Sequence, residues 1–297
     1  MTPRTLPRTL GLKGIDATVS RVPSGAVPRE ATARPGEPLE QGEGARQTAA
    51  KRAMARAGAC LIAAAAVVVG WTSGPARALD VEPWDRVLRA HAHGGGMDYA
   101  ALKADAAAMA DLDAFLASVA SMPESEPLYA WLDAYNAIVV KSIVLRYPLR
   151  SVRDVPGFFD RARHRVAGRE RTLDEIENQI VRPRFRDARV HAALNCGARG
   201  CPALASRAFT AANVEAALDR LARAMVANDA HVRVREGRIE LSEIFEWFKA
   251  DFERDAGSVR AWLARYDARG KLANLPPDAR LATRPYDWRL NDFPRAR

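Results

Sequence analysis

The stretch from Glu126 to Arg146 constrains the fold more than any other part of the chain. Leu128, Trp131, Leu132, Tyr135, Ile138, Val139, Ile143 and Leu145 fall around most of a helical circumference. No surface orientation would keep them all from water, so the spacing predicts a buried central helix that the rest of the domain must wrap. Tyr147-Pro148 ends it, because the residue before a proline is pushed out of helical geometry. Trp131, Tyr135 and Ile138 read as core, and Asp133 and Asn136, three apart, can share one face as a buried polar pair. An amide on so apolar a helix needs partners, so Asn136 either staples a loop backbone or orients a catalytic histidine.

Helical periodicity also covers Glu82 to Ala92 and Tyr99 to Val119, the latter with a stripe of Leu102, Met109, Leu112, Phe115, Leu116 and Val119 that ends at Met122-Pro123. Arg163 to Thr172 fits a β-hairpin turning at Ala167-Gly168. Thr172 and Glu175 form a capping-box pattern opening a helix expected to stop before Pro183. Glu177, just beyond, reads as structural. Thr210 is expected to cap a helix to Val226, and His231 to Leu241 to form a second hairpin around Glu236-Gly237. Ser242 opens an aromatic-rich helix, Ser258 another to Tyr266, and Tyr286-Asp-Trp-Arg-Leu reads as the body of a final strand within Leu281 to Leu290. The class implied is α+β: a helix-rich single domain with short β-hairpins and a C-terminal strand, over residues 79–292.

Ahead of that domain, Lys51, Arg52 and Arg56 precede an uncharged apolar run from Ala57 to Trp71 and then Ala76-Arg77-Ala78. This is the three-part pattern of a signal peptide, assigned to residues 51–78 with cleavage after Ala78. The run, about 15 residues, is shorter than the roughly 20 needed to span a bilayer. An exported product, periplasmic or secreted, is therefore expected, with no permanent membrane span after leader cleavage; retention through an uncleaved leader is the alternative. Residues 1–50, rich in Pro, Gly, Arg, Ala and Thr without apolar periodicity, read as a disordered extension, and Met54 is the alternative translation start. Residues 1–78 hold 11 of the 45 Lys plus Arg and 5 of the 36 Asp plus Glu, so most of the net charge of +9 lies there. Without it the chain is close to balanced, and nucleic acid is not an expected partner.

Cys60 would leave with the leader, which puts both remaining cysteines in His191-Ala-Ala-Leu-Asn195-Cys196-Gly197-Ala-Arg-Gly200-Cys201-Pro202. In one reading Cys196 is a nucleophile activated by His191 and oriented by Asn195 or Asn136, because a thiol with a pKa of about 8.5 needs a neighbouring imidazole to become thiolate near neutrality. Spacing does not pair them: an offset of five turns two side chains about 140° apart on a helix and to opposite faces of a strand. The pairing requires the chain to reverse between Asn195 and Gly197. In the other reading Cys196 and Cys201 form a disulfide that fixes the loop, as an oxidising compartment favours, and His191 is a buried, hydrogen-bonded histidine. A redox-active pair is a subset of this, although Cys-x₄-Cys is not the thioredoxin-type spacing.

Zinc could use His191, Cys196 and Cys201, but a fourth ligand has no clear source. His164 and His231 sit in predicted hairpins, where exposure is expected, and His91 and His93 stand apart. No metal and no cofactor is expected. Phosphate-binding glycine loops, His-Glu-x-x-His and Gly-x-Ser-x-Gly are absent from the sequence.

Five segments stand in a recognisable order: Trp131-Leu-Asp-Ala-Tyr-Asn136; Leu173-Asp-Glu-Ile-Glu177; His191 to Pro202; Ile244-Phe-Glu-Trp-Phe248 with Asp251-Phe252; and Tyr286-Asp287-Trp288 with Leu290-Asn291. Together they resemble the domain of unknown function 547 family across Leu128 to Asn291. The family's usual Trp-Ile-Asn-Ala-Tyr-Asn carries Asp133 here in place of its first Asn. The resemblance implies a fold and a site among these segments, and no particular reaction. Two functions follow as expectations. One is a thiol-dependent hydrolase or acyl transferase centred on Cys196 and His191, acting on an unidentified envelope or peptide substrate. The other is a non-catalytic envelope binding or scaffold domain with a disulfide-braced loop.

Overall fold

The helix predicted around Trp131 runs from Leu128 to Val144, with Trp131, Leu132, Ala134 and Ile143 fully enclosed. It belongs to a computed structural model that describes residues 79–294. The leader at 51–78, the extension at 1–50 and the alternative start at Met54 lie outside the described residues. Among the described residues no helix is long and apolar enough to cross a membrane.

Helices Tyr99–Ala104, Ala106–Ser121 and the segment Ile176–Val181 pack on the central helix. Glu82–His91 lies outside Ala106–Ser121, and Trp84 stacks on Phe115 at 6.1 Å between ring centroids. Asp133, 1 % exposed, accepts from Trp84 Nε1 at 3.1 Å through one oxygen and from the Phe209 N–H at 2.8 Å through the other. This accounts for a carboxyl at that position: both its oxygens accept, whereas an asparagine would turn its NH₂ toward one of two donors. Burial pushes the Asp133 carboxyl well above the usual range.

Several sequence expectations need correction. The helix expected from Tyr99 to Val119 breaks at Asp105, whose carboxylate accepts from the Ala107 and Ala108 N–H groups and starts a second helix. A short acid that can satisfy unpaired N–H groups is a better cap than interior residue. The Thr172–Glu175 capping box forms with both of its reciprocal bonds, but the helix does not stop before Pro183. It widens into a π segment, Ile176–Val181, where the Arg182 N–H reaches the Glu177 carbonyl, and then continues as Arg182–Phe185. Pro183 falls in the first turn of that last piece, where its missing N–H is tolerated. Thr210 acts through its carbonyl, which accepts from Val214, and not as a side-chain cap of Val214–Ala227. The aromatic-rich helix is two, Ile244–Trp247 and Lys249–Ala256, divided at Phe248.

Both hairpins form, His164–Val166 with Arg169–Arg171 and Val232–Arg235 with Arg238–Ser242. Each turns through two residues at positive φ, Ala167-Gly168 and Glu236-Gly237, the turn whose twist matches the strands. His231, expected to be exposed, is 2 % exposed at the foot of the second hairpin. The C-terminal strand is Leu281–Arg284, parallel to Arg238–Ser242 with Leu281 opposite Ile239. Tyr286 to Leu290, expected as its body, lies outside that sheet because its carbonyls serve another partner: Asp287 accepts from Gly200 and Arg289 from Arg199. The tail thus lies along the cysteine loop. Beneath it, Phe245, Phe252, Trp262 and Tyr266 form an aromatic core that anchors the last helices.

Candidate functional site

Where the central helix, the π segment, the cysteine loop and the C-terminal tail converge, they enclose a cavity of about 170 Å³. Its walls include Tyr135 and Glu177 from the first two, His191, Cys196 and Cys201 from the loop, and Trp247, Phe248, Tyr286 and Trp288 from the second half of the chain.

The loop takes its shape from two asparagines. Asn136 donates from Nδ2 to the Ala193 carbonyl at 3.0 Å and accepts at Oδ1 from the Asn195 N–H at 2.8 Å. Asn195 donates to the Pro202 carbonyl at 2.8 Å, and its Oδ1 accepts from the Gly197 N–H and from Asn291 Nδ2, each at 3.0 Å. Asn291 is itself held by the Tyr99 hydroxyl, which donates to it at 2.8 Å. Both amides are therefore engaged at both ends, Asn136 by the loop and Asn195 by the loop and the tail. Within this loop Gly197 sits at φ +82°, and a Cβ there would come within 2.5 Å of Ile143.

His191 and Cys196 both line the cavity. Cys196 is bonded to Cys201, with Cα atoms 6.3 Å apart. The Tyr286 hydroxyl donates to the Cys201 sulfur at 3.0 Å and lies 3.1 Å from the Cys196 sulfur. Burial raises the Tyr286 phenol, so it stays protonated and can donate.

His191, on the turn of helix Ala188–Ala192, meets Asp251 at 2.8 Å through Nε2 and stacks on Phe248 at 4.0 Å between centroids. Burial pushes the imidazole down, against the opposing pull of Asp251. For Asp251, burial acts upward, but His191, Arg182 and Arg254 together hold its carboxyl below the usual range. An ionised carboxylate only accepts, so the hydrogen sits on Nε2 and a lone pair remains on Nδ1.

Opposite, Tyr135 donates to Glu177 at 3.1 Å. Burial raises the Glu177 carboxyl to about 7, despite the Tyr135 bond and the charge of Arg182. Glu177 is on the π segment, a distortion of the kind often found at functional sites. Among the described residues no group of three or more His, Cys, Asp or Glu side chains is placed to hold a metal ion.

Sequence reasoning gave no role to Asp251 or to the Tyr286 hydroxyl, although both lie in the recognised segments. No local spacing joins residues 60 or 85 apart. One signal was available for Asp251: an acid among Phe245, Phe248 and Phe252 must find a partner when that face is buried.

The fold and site define a class, a helix-rich α+β domain with a disulfide-bordered aromatic cavity. Residues 119–226 match the model of the family described as "Protein of unknown function, DUF547". The match takes in Asn136, Glu177, His191 and the cysteine loop, while Asp251, Trp247 and the Tyr286–Asn291 segment lie beyond it. No curated protein and no solved structure matches.

Proposed function

We propose that the domain is a non-catalytic binding module of an exported protein, with the cavity as its ligand site and the Cys196–Cys201 loop as a fixed wall. One observation carries this reading: the groups that catalysis would use are committed to structure. The Cys196 sulfur is bonded, and Asn136 and Asn195 use both ends of their amides on the loop and tail. Export rests on the leader pattern at 51–78, and an oxidising compartment would preserve the bond.

Alkylation without reductant tests it. Neither cysteine of the mature chain should react, folded or in denaturant. Rapid alkylation of Cys196 near neutral pH, slowed by His191→Ala, would sink the binding reading.

A second reading has its own support. Asp251 fixes the His191 tautomer with Nδ1 free of it, on the wall that also carries Cys196. After reduction by an external dithiol, Cys196 would be the nucleophile of a hydrolase or acyl transferase, His191 its base and Asp251 the orienting group. Activity towards peptide or acyl substrates that appears only after reduction would favour this reading.

A further inference from the structure

We propose that the cavity binds a small organic cation with a methylated ammonium head, held by the faces of Trp247, Tyr286 and Trp288 and by the carboxylate of Glu177. The inference deepens the binding reading above and rests on it.

Three rings make one side of the cavity mouth. Trp247 and Tyr286 lie 5.0 Å apart between centroids, Tyr286 and Trp288 4.7 Å, and Trp247 and Trp288 5.9 Å. Trp247 remains 46 % exposed, unusual for a tryptophan among so many packing partners. Aromatic faces are electron-rich and attract cations, most strongly when water is displaced. Trp288 already carries such a contact, the Arg153 guanidinium 5.3 Å from its centroid.

Charge selects among ligands that like aromatic surfaces. Glu177 is an acid on the cavity wall with no basic group in a hydrogen bond to it; its partner is the Tyr135 hydroxyl. The nearby Arg182 is tied to Asp251 at 2.6 Å and to Asn178, and lies 4.8 Å over Phe248. An anion would be repelled by the Glu177 carboxylate, whose one nearby cation, Arg182, is spent on Asp251, and a neutral apolar ligand would add no charge partner for it.

The acceptor supply then separates kinds of cation. A primary ammonium brings three N–H donors, each needing an acceptor. The acceptors on this wall are few: the Glu177 carboxylate and the oxygens of the Tyr135 and Tyr286 hydroxyls, which donate to Glu177 and to the Cys201 sulfur, among otherwise mainly apolar side chains. A quaternary ammonium brings no donors, so burying it strands none. The volume, about 170 Å³, is under the roughly 300–1,000 Å³ of drug-sized sites and suits a head-group alone.

Binding should depend on pH. The charged and titratable groups facing Glu177 are Tyr135 from the central helix, Asp174 and Arg182 from its own helix, His191 and Asp251 across the cavity, and Tyr286 from the tail. The tyrosines are shifted up and His191 and Asp251 down, which leaves Glu177 to titrate near neutrality. A bound cation favours the ionised carboxylate, so affinity should rise as pH rises through about 7.

The test is calorimetric titration of the full chain with choline and with its uncharged carbon isostere, 3,3-dimethylbutan-1-ol, at pH 6 and pH 8. Choline is expected to bind at least tenfold more tightly than the isostere at pH 8 and to weaken several-fold at pH 6. Trp247→Leu and Glu177→Gln should each reduce choline binding at least tenfold while circular dichroism stays unchanged. Equal binding of both compounds, lost in Trp247→Leu, would overturn the cation proposal and leave the binding reading standing. Absence of choline binding at millimolar concentration, or choline binding indifferent to both substitutions, would also overturn it; alkylation of the cysteines separately decides the binding reading.

Discussion

The two sides of the cavity are built on different principles. The cysteine loop is held by directed bonds: two asparagines, a disulfide and a strip of C-terminal backbone engage most of the backbone N–H groups from Ala193 to Cys201. On the adjoining rim, directed bonds hold Tyr286 and the Trp288 backbone, but Trp247 meets them through ring contacts, which tolerate small rearrangements. Directed bonds fix one geometry and fail together when a member is lost, while apolar contacts fail gradually. A rigid wall beside a more adaptable ring suits a site that must keep its shape and still adjust to a ligand.

Removing the centre of the rigid wall should have the largest effect. Asn136→Ala strands the Ala193 carbonyl and the Asn195 N–H, both buried, and leaves a void in the central helix face. A loss on the order of 3 kcal/mol is expected, because each stranded group costs about 1–3 kcal/mol. Urea unfolding measures it, and a loss under about 1 kcal/mol would mean that the loop finds other partners readily. The disulfide should matter less. By the chain-entropy estimate a six-residue loop contributes about 2 kcal/mol, so Cys196→Ala/Cys201→Ala should lower the urea midpoint modestly and leave the fold intact.

Between the two sides stands Glu177, and its effect is on pH dependence. Its folded-state value of about 7 lies above the ordinary carboxylate range, so between roughly pH 4.5 and 7 the folded chain holds a proton that the unfolded chain has lost. Fewer protons bound in the unfolded state means that stability falls as pH rises through this window, by at most about 1.4 kcal/mol per pH unit. Glu177→Gln should remove this contribution and be more stable than the parent at pH 8. Equal pH slopes in parent and variant would show that the carboxyl is better solvated than its surroundings imply.

The same contrast governs what was legible in the sequence. Trp131, Leu132 and Ile138 announced the buried helix by spacing, Thr172 and Glu175 announced a cap, and Ala167-Gly168 and Glu236-Gly237 announced turns, because in each the deciding partner is a few residues away. Asn136 was legible as a residue that must find partners, with a loop backbone as one of two options, and the loop backbone is what it holds. The meeting of Asp251 with His191 and of Tyr286 with the two sulfurs was not, since it depends on elements brought together only by the finished fold. The final strand was misplaced for a related reason. Tyr286 to Leu290 has strand-forming residues, but its backbone partner is the cysteine loop, and an edge strand as polar as Leu281–Arg284 gives little alternation to read.

The rim should show the smallest effect on stability and the clearest on binding. Trp247 is 46 % exposed and packs on Tyr286 and Trp288 rather than in the core. Trp247→Leu keeps an apolar side chain there and removes no buried hydrogen bond, so thermal unfolding should shift by less than about 1 kcal/mol in free energy. If the rim were instead a structural clamp for the C-terminal tail, the substitution would release Tyr286 and Trp288 together. The tail segment that supplies carbonyls to Arg199 and Gly200 would then loosen, and amide exchange at those two residues would quicken. Unchanged protection at Arg199 and Gly200 alongside altered ligand binding would separate the two sides of the cavity into a part that maintains the fold and a part that recognises.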